Sequence, residues 1–236
     1  MASLAFVGVS NELEVPVPDV PFGYLADDVL LAFVYVIYES GFAVSTPIVS
    51  PPGWTEVAQQ ALAFANDQGD RFAVFQRLST GVEPATHQFT WGGDAIAVGR
   101  ICGYRRLTAA PLNSSGIVLS VAGDPLIVTM SLPTMRPNQR LVGAWAGRSF
   151  DGEWTFPLLA GARRRTQSID GTLFGTFTDL IGIPGSDEIS GRLEVAEFLQ
   201  PLPALVVETA SIGADGGMIP ADQIGMGILL VLNHSP

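Results

Sequence analysis

Hydrophobic residues along this chain occur in short runs or alternate with polar residues, and glycine or proline interrupts them repeatedly. In the segment Arg71–Leu78, for example, Phe72, Val74 and Gln76 alternate with Ala73, Phe75 and Arg77. Alternation with a period of two is typical of a half-buried strand, and closely spaced turn residues are typical of sandwiches and barrels. The pattern therefore predicts an all-β protein.

The candidate strands fall into two series. Those of the first half are Leu4–Val9, Val29–Tyr38, Thr55–Phe64, Arg71–Leu78, Thr86–Trp91 and Ile96–Tyr104. Those of the second half are Ile117–Val121, Leu126–Thr129, Leu141–Ala146, Arg165–Ile169, Leu173–Asp179, Arg192–Leu199, Leu205–Thr209 and Gly225–Leu232. For one segment, Val57–Ala65, which is rich in alanine and glutamine, a helix is the alternative prediction to a strand. The sharp turn at Pro51-Pro52-Gly53 before it favours an edge strand.

The two halves resemble each other in the order of their segments. The matched pairs are Asp28–Phe33 with Gln139–Trp145, Pro51–Glu56 with Trp154–Pro157, Arg71–Phe75 with Thr172–Phe177, Val82–Pro84 with Ile183–Gly185, and Ala95–Gly99 with Ile224–Ile228. Two copies of a four-strand unit with their apolar faces together give an eight-strand sandwich. We therefore expect a jelly-roll-like antiparallel β-sandwich with an internal duplication, a single domain over residues 1–236 with halves at about 1–109 and 110–236.

Composition changes this picture by limiting the partners. Hydrophobic residues make up 47% of the chain and charged residues only 15%, and the formal net charge is −11. A chain this acidic is repelled by nucleic-acid phosphates and by anionic lipid, so neither is an expected partner. The low charge instead favours a surface that packs against other protein subunits. All twelve basic residues are arginine, which suits planar, bidentate contacts at protein interfaces.

The ends and the single cysteine indicate a soluble protein assembled in a reducing cytoplasm. The first residues lack the positive and long apolar regions of a signal peptide, and the longest apolar run, Val29–Tyr38, is too short for a membrane-spanning helix. Cys102, the only cysteine, lies in an apolar run and is interpreted as a small buried hydrophobic residue.

Candidate chemistry is sparse. His87 and His234 are the only histidines, no Gly-x-Ser-x-Gly motif accompanies them, and one cysteine with two distant histidines cannot form a zinc site. Asn66, Gln68 and Asp70 have the spacing of calcium ligands, but a solvated hairpin explains them better. Two adjacent carboxylate pairs, Asp27/Asp28 and Asp187/Glu188, point to opposite faces if they lie on strands. The sequence thus predicts no catalytic residues, no metal and no cofactor.

Several motifs of the first half resemble those of a widespread group of bacteriophage tail, fibre and surface proteins. That group has the patterns G-D-L-L-L-A, P-P-x-G-W-T, Y-Y-R, E-P-x-x-Y-x-F and A-x-Y-R-G. The corresponding segments here are Asp28–Phe33, Pro51–Thr55, Phe72–Arg77, Glu83–Ala85 and Ala97–Arg105, and the match extends over about Phe22 to Leu232. The resemblance implies a jelly-roll-like sandwich that is part of a virion and has no catalytic residues.

We therefore expect a virion structural protein, either a tail or fibre (minor tail) component or a capsid-decorating one. Its expected partners are other virion proteins, including further copies of itself as a homo-oligomer, and its expected location is the virion. Arg163, Arg164 and Arg165 form the only basic cluster, which fits either a contact with an acidic neighbouring subunit or a solvated turn.

Two other functions remain open at the level of sequence. The first is a carbohydrate-binding module that recognises host surface glycans through exposed aromatic residues beside carboxylates. Its candidate contacts are Trp154 with Asp151 and Glu153, and the loop Trp91–Asp94, although Trp91 fits a core position better. The second is a hydrolase whose site is assembled from dispersed loops, which has the least support.

Overall fold

The computed structural model describes residues 3–17, 24–38, 46–63, 69–104, 113–121, 126–134, 139–149, 190–200, 205–212 and 224–232. Within these ranges every regular element is a β-strand, and every strand pair is antiparallel. The prediction of an all-β chain is thus confirmed. No helix of the described part of the chain is long and apolar enough to cross a membrane. The predicted strands Arg165–Ile169 and Leu173–Asp179 lie outside the described residues.

The strands belong to two compact units, one formed by described residues up to 104 and the other by those from 113 onward. The first unit has one antiparallel sheet with the strand order β1-β5-β2-β4-β3. Its strands are β1 (Ser3–Pro16), β2 (Ala26–Tyr38), β3 (Thr55–Ala63), β4 (Gly69–Thr80) and β5 (Thr86–Tyr104). The helical alternative for the segment that begins at Val57 is wrong, because β3 pairs with β4 along its length.

Strand β5 joins two segments that the sequence suggested as separate strands, and it bends between them. Its first part pairs with residues 12–16 of β1, and its second part pairs with residues 3–7 of β1 and with β2. In a straight strand Phe89 and Gly99 would lie about 33 Å apart. Leu13 is paired with Phe89, yet a Cβ atom at Gly99 would lie only 2.7 Å from Leu13 Cδ2. The sheet therefore folds over itself.

The folded sheet encloses the main core of the first unit. Phe75 of β4 meets Phe89 of β5 across the interior, with ring centroids 5.4 Å apart. The buried residues of this core are Leu13, Val15, Leu30, Ala32, Val34, Val36, Tyr38, Ile48, Trp54, Ala73, Phe75, Phe89, Trp91, Ala95, Ala97 and Ile101. Strand β2 is buried on both faces, from Asp28 to Tyr38. Burial on both faces explains why its sequence is an unbroken apolar run rather than an alternating one.

The second unit combines a sheet with a two-stranded ribbon. Its strands are β6 (Asn113–Ser114), β7 (Val118–Val121), β8 (Leu126–Pro133), β9 (Gln139–Ser149), β10 (Ser190–Gln200), β11 (Leu205–Ile212) and β12 (Ile224–Leu232). The sheet has the order β10-β9-β12, and both β6 and β7 pair with β12, while β8 and β11 pair with each other as the ribbon.

The ribbon packs on the sheet through a smaller core. This core consists of Val128, Met130, Leu132, Leu141, Trp145, Leu229 and Val231. Close approach is possible because β12 carries a glycine at the contact. A Cβ atom at Gly227 would lie 2.8 Å from both Val128 Cγ1 and Met130 Sδ. Real Cβ atoms do not come this close to their neighbours, so the position requires glycine or a shift of the ribbon.

The last strand of each unit lies inside its sheet. β5 lies between β1 and β2 in the first unit, and β12 lies between β9 on one side and β6 and β7 on the other in the second unit. Each of these two strands carries a glycine under neighbouring side chains: Gly99 of β5 lies under Leu13 and Val15, and Gly227 of β12 lies under Val128 and Met130 of β8.

Candidate functional site

The binding residues proposed from the sequence lie outside the part of the chain that the structure describes. They are Asp151, Glu153, Trp154, Arg163, Arg164 and Arg165, together with His234 and the pair Asp187/Glu188. Their assignment as contacts to a glycan or to a neighbouring subunit stays a prediction. Within the described ranges no group of three or more histidine, cysteine, aspartate or glutamate side chains is arranged to hold a metal ion.

Several other candidates have structural positions in the first unit. Trp91 is buried in the main core, which agrees with the core interpretation and removes it from a glycan-binding loop. Cys102 is buried, as expected for a small hydrophobic residue. Asp70 lies in β4 instead of on a loop, is fully buried, and accepts a 2.5 Å hydrogen bond from the Tyr35 hydroxyl. It is therefore a partner of Tyr35 rather than an open calcium ligand.

The pair Asp27/Asp28 divides into one structural and one exposed carboxylate. The Asp28 side chain is buried and accepts a 2.8 Å hydrogen bond from the backbone N–H of Leu25. Asp27 is exposed, with a φ of 70°. The two carboxylates thus have different surroundings, and the Asp28 carboxylate holds the backbone of the preceding turn.

Residues from three of the sequence motifs meet at one end of the first-unit core. They are Trp54 after the Pro51-Pro52-Gly53 turn, Arg77 near the end of β4, Glu83 in the following turn and His87 at the start of β5. We call these four residues the Glu83 cluster. Arg77, Glu83 and His87 are close together in the sequence, and Trp54 joins them from the turn before β3.

Glu83 is the centre of the cluster. Its Oε1 accepts a 3.1 Å hydrogen bond from the backbone N–H of Thr80, and its Oε2 lies 3.5 Å from Arg77 Nε and 3.3 Å from His87 Nε2. The Glu83 side chain is 3% exposed and the Arg77 side chain 17% exposed. A carboxylate this buried is costly unless it is paired, and here both oxygens have partners.

Trp54 connects the cluster to the core. Its ring packs edge-on against His87 at a centroid distance of 5.0 Å and against Phe89 at 5.7 Å. Gly53, with a φ of 87°, permits the sharp turn that brings Trp54 inward. Arg77 Nη1 donates a 3.4 Å hydrogen bond to the carbonyl of Pro52, so the same guanidinium contacts both the turn and Glu83.

The cluster does not present a reactive group to a substrate. Its only candidate base, His87, is 4% exposed, and its Nε2 already faces Glu83. Burial lowers the pKa of His87 below its usual value of 6.5, the Arg77 charge lowers this pKa further, and Glu83 opposes both effects. General-base catalysis requires a base within hydrogen-bond reach of the substrate. The arrangement is therefore suited to holding a turn, two strand ends and the core together.

The lowered pKa of His87 predicts how stability depends on pH. The unfolded chain takes up a proton at His87 near pH 6.5, whereas the folded chain does so only at lower pH. Stability from this residue is thus complete above pH 6.5 and decreases as the pH falls below it. We expect urea denaturation of the wild-type chain to show this decrease between about pH 7.5 and about pH 5, and His87→Gln to weaken it. Equal pH profiles for the two proteins would contradict the assignment.

A second polar network fastens the segment before the turn to the edge strand. Gln59 of β3 accepts a 2.6 Å hydrogen bond from the backbone N–H of Ile48 and donates a 3.4 Å bond to the Ile48 carbonyl. Gln59 Oε1 also accepts a 3.3 Å bond from Arg71, which lies near Tyr38. Burial raises the pKa of Tyr38 to about 12, with the Arg71 charge opposing that rise. This network, too, joins strands rather than forming an open site.

Comparison of the chain with protein-family models, with curated proteins and with solved structures finds no match.

Proposed function

We propose that this chain is a structural protein of a bacteriophage virion, either a tail or fibre component or a capsid-decorating one, and that it acts by assembling with other virion proteins. One observation carries the proposal. Three of the five motifs that resemble those of phage tail, fibre and surface proteins contribute side chains to one buried cluster, where each makes a structural contact. Motifs whose side chains hold the fold together, as these do, are what a structural protein requires.

The architecture gives further support. The long strand β5 pairs with β1 on one side and with β2 on the other, and β2 is buried on both faces. The charged side chains that are buried in the first unit have partners in it, as Glu83 has in Arg77 and His87. A rigid body of this kind suits a protein that is fixed in an assembly, and we propose no catalytic activity for it.

We also propose the finer description of the fold, a jelly-roll-like sandwich that arose by internal duplication. The inner position of the last strand in both units supports it, since β5 lies between β1 and β2 and β12 lies between β7 and β9. The matching inward glycines, Gly99 and Gly227, support it as well. On this basis β10 corresponds to β4, in place of the segment Thr172–Phe177 that sequence matching suggested and that lies outside the described residues.

Host-glycan recognition remains the alternative function. Because Trp91 is buried, this alternative depends on Trp154 with Asp151 and Glu153. Loss of binding to host surface polysaccharides in Trp154→Ala would support it.

The proposed function is tested by measuring the stoichiometry of purified particles of the phage that encodes the chain. Quantitative mass spectrometry should find the chain in particles at a fixed ratio to the major capsid protein. A ratio of a few copies per particle would indicate the tail, and a ratio close to that of the capsid protein would indicate decoration of the head. Particles that are free of the chain would overturn the proposal.

A further inference from the structure

Exposed apolar side chains are concentrated at one end of the first-unit sheet. The large hydrophobic residues that are exposed among the described ones are Leu25, Val49, Leu78, Val82 and Leu205. Three of these five, Leu25, Leu78 and Val82, lie where β2 begins and β4 ends, and Val82 is 83% exposed. Isolated exposed apolar residues need no explanation, but a group on adjacent turns is typical of an interaction site. We call these three residues the Val82 patch.

The turn that carries Val82 is held in place by hydrogen bonds. Thr80 N–H donates to Glu83 Oε1 at 3.1 Å, the Thr80 hydroxyl donates to the Val82 carbonyl at 3.0 Å, and Gly81 N–H donates to Ser79 Oγ at 3.0 Å. Glu83 is in turn fixed by the cluster described above. The exposed Val82 side chain is therefore presented by an ordered backbone, which reduces the entropy lost when a partner binds.

The turn that carries Leu25 is fixed in the same way and lies against the first. Leu25 N–H donates to Asp28 Oδ2 at 2.8 Å, and Asp28 N–H donates to the Leu25 carbonyl at 3.2 Å. A Cβ atom at Gly81 would lie 3.4 Å from the backbone nitrogen of Ala26, so the two turns are in contact. The exposed side chains of Leu25 and Val82 are thus carried by two turns that touch each other.

Charge decides which kind of partner fits this surface. Ala26, Pro84 and Ala85 on the same two turns are exposed as well, and the exposed charged residue on these turns is Asp27. A second copy of the chain would bring another net charge of −11 toward the first, which opposes pairing of copies through this patch. A partner with an apolar contact surface and a basic side chain facing Asp27 has the complementary chemistry.

We propose that the Val82 patch is the docking surface by which this chain binds a different protein of the virion, one with an apolar contact surface and a basic residue opposite Asp27. The proposal rests on the proposed virion function and adds to it the place of contact and the chemistry of the partner.

The test measures incorporation into particles. Host cells that express a tagged copy of the chain are infected with the phage, and the tagged protein in purified particles is quantified by mass spectrometry. We expect the tagged wild type to be incorporated and Val82→Glu to be reduced by about tenfold or more, equivalent to at least about 1.4 kcal/mol of binding. Leu205→Glu, which changes an exposed residue of the second unit, is the matched control and should be incorporated like the wild type.

The variants also separate docking from folding. Val82→Glu should have the same melting temperature as the wild type. If it melts at a lower temperature, the smaller change Val82→Thr replaces it, and this variant should also reduce incorporation into particles. Incorporation of both Val82 variants at the wild-type level would overturn the docking proposal alone, whereas absence of the tagged wild type would overturn the virion function as well. A change in the oligomeric state of the purified chain in Val82→Glu would identify a second copy as the occupant and overturn the proposed partner.

Discussion

Replacing Trp54 by alanine is expected to lower the free energy of unfolding by about 3–5 kcal/mol, the usual cost of removing a large buried aromatic side chain. Trp54 is 8% exposed and contacts both His87 and Phe89, so its removal opens a cavity at the end of the core and leaves the Glu83 cluster without its apolar cover. Chemical denaturation followed by circular dichroism measures the change.

The conservative variant Trp54→Phe distinguishes loss of packing from loss of the indole N–H. No described residue accepts a hydrogen bond from Trp54 Nε1, so phenylalanine should retain most of the stability. A wild-type melting curve for Trp54→Ala would show that this residue does not stabilise the core. A large loss in both variants would show that the shape of the indole, and not apolar burial alone, is required.

Removing the carboxylate of Glu83 is the second change with a large expected effect. Glu83→Ala leaves Arg77 and His87 without their shared acceptor and leaves the backbone N–H of Thr80 without its side-chain partner. Breaking a buried ion pair by removing one member costs about 3–5 kcal/mol, and the partial exposure of Arg77 places the expected loss at the lower end, about 3 kcal/mol. Urea denaturation at pH 7 measures it.

The matched control is Glu14→Ala. Glu14 is also a glutamate of the first unit, but it is exposed on β1, so its removal should change stability by less than about 0.5 kcal/mol. An equal effect of the two substitutions would indicate that the loss comes from a change in net charge and not from the contacts of Glu83.

The strands could be predicted from the sequence because their signals are local. The apolar run Val29–Tyr38 and the alternating segment Arg71–Leu78 lie within the observed strands β2 and β4 almost without shift. The turn at Pro51–Gly53 likewise ends where β3 begins. Each of these signals depends on residues close together in the chain, which pattern and turn chemistry describe well.

The bend in β5 and the contact of Trp54 with the Glu83 cluster could not be predicted, because both depend on residues that are distant in the sequence. Thr86–Trp91 and Ile96–Tyr104 look like two strands, since Gly92 and Gly93 between them resemble a turn. Only their pairing with two parts of one strand, β1, joins them. The sequence hint for the cluster was the presence of its members in family-like motifs, and the pairing of Glu83 with Arg77 and His87 across one turn was not predicted from it.

Because Ser3 pairs with Ile101 and Pro16 with Thr86, the first strand finds its neighbour only at the far end of its unit. During translation β1 therefore emerges long before β5, and at about 5–20 residues per second the delay is roughly 5–20 s. In this interval the nascent chain has an unpaired amino-terminal segment, and closing so long a loop makes a slow step of folding. We therefore expect the first strand of this unit to be open to pairing with other chains until residue 101 has left the ribosome.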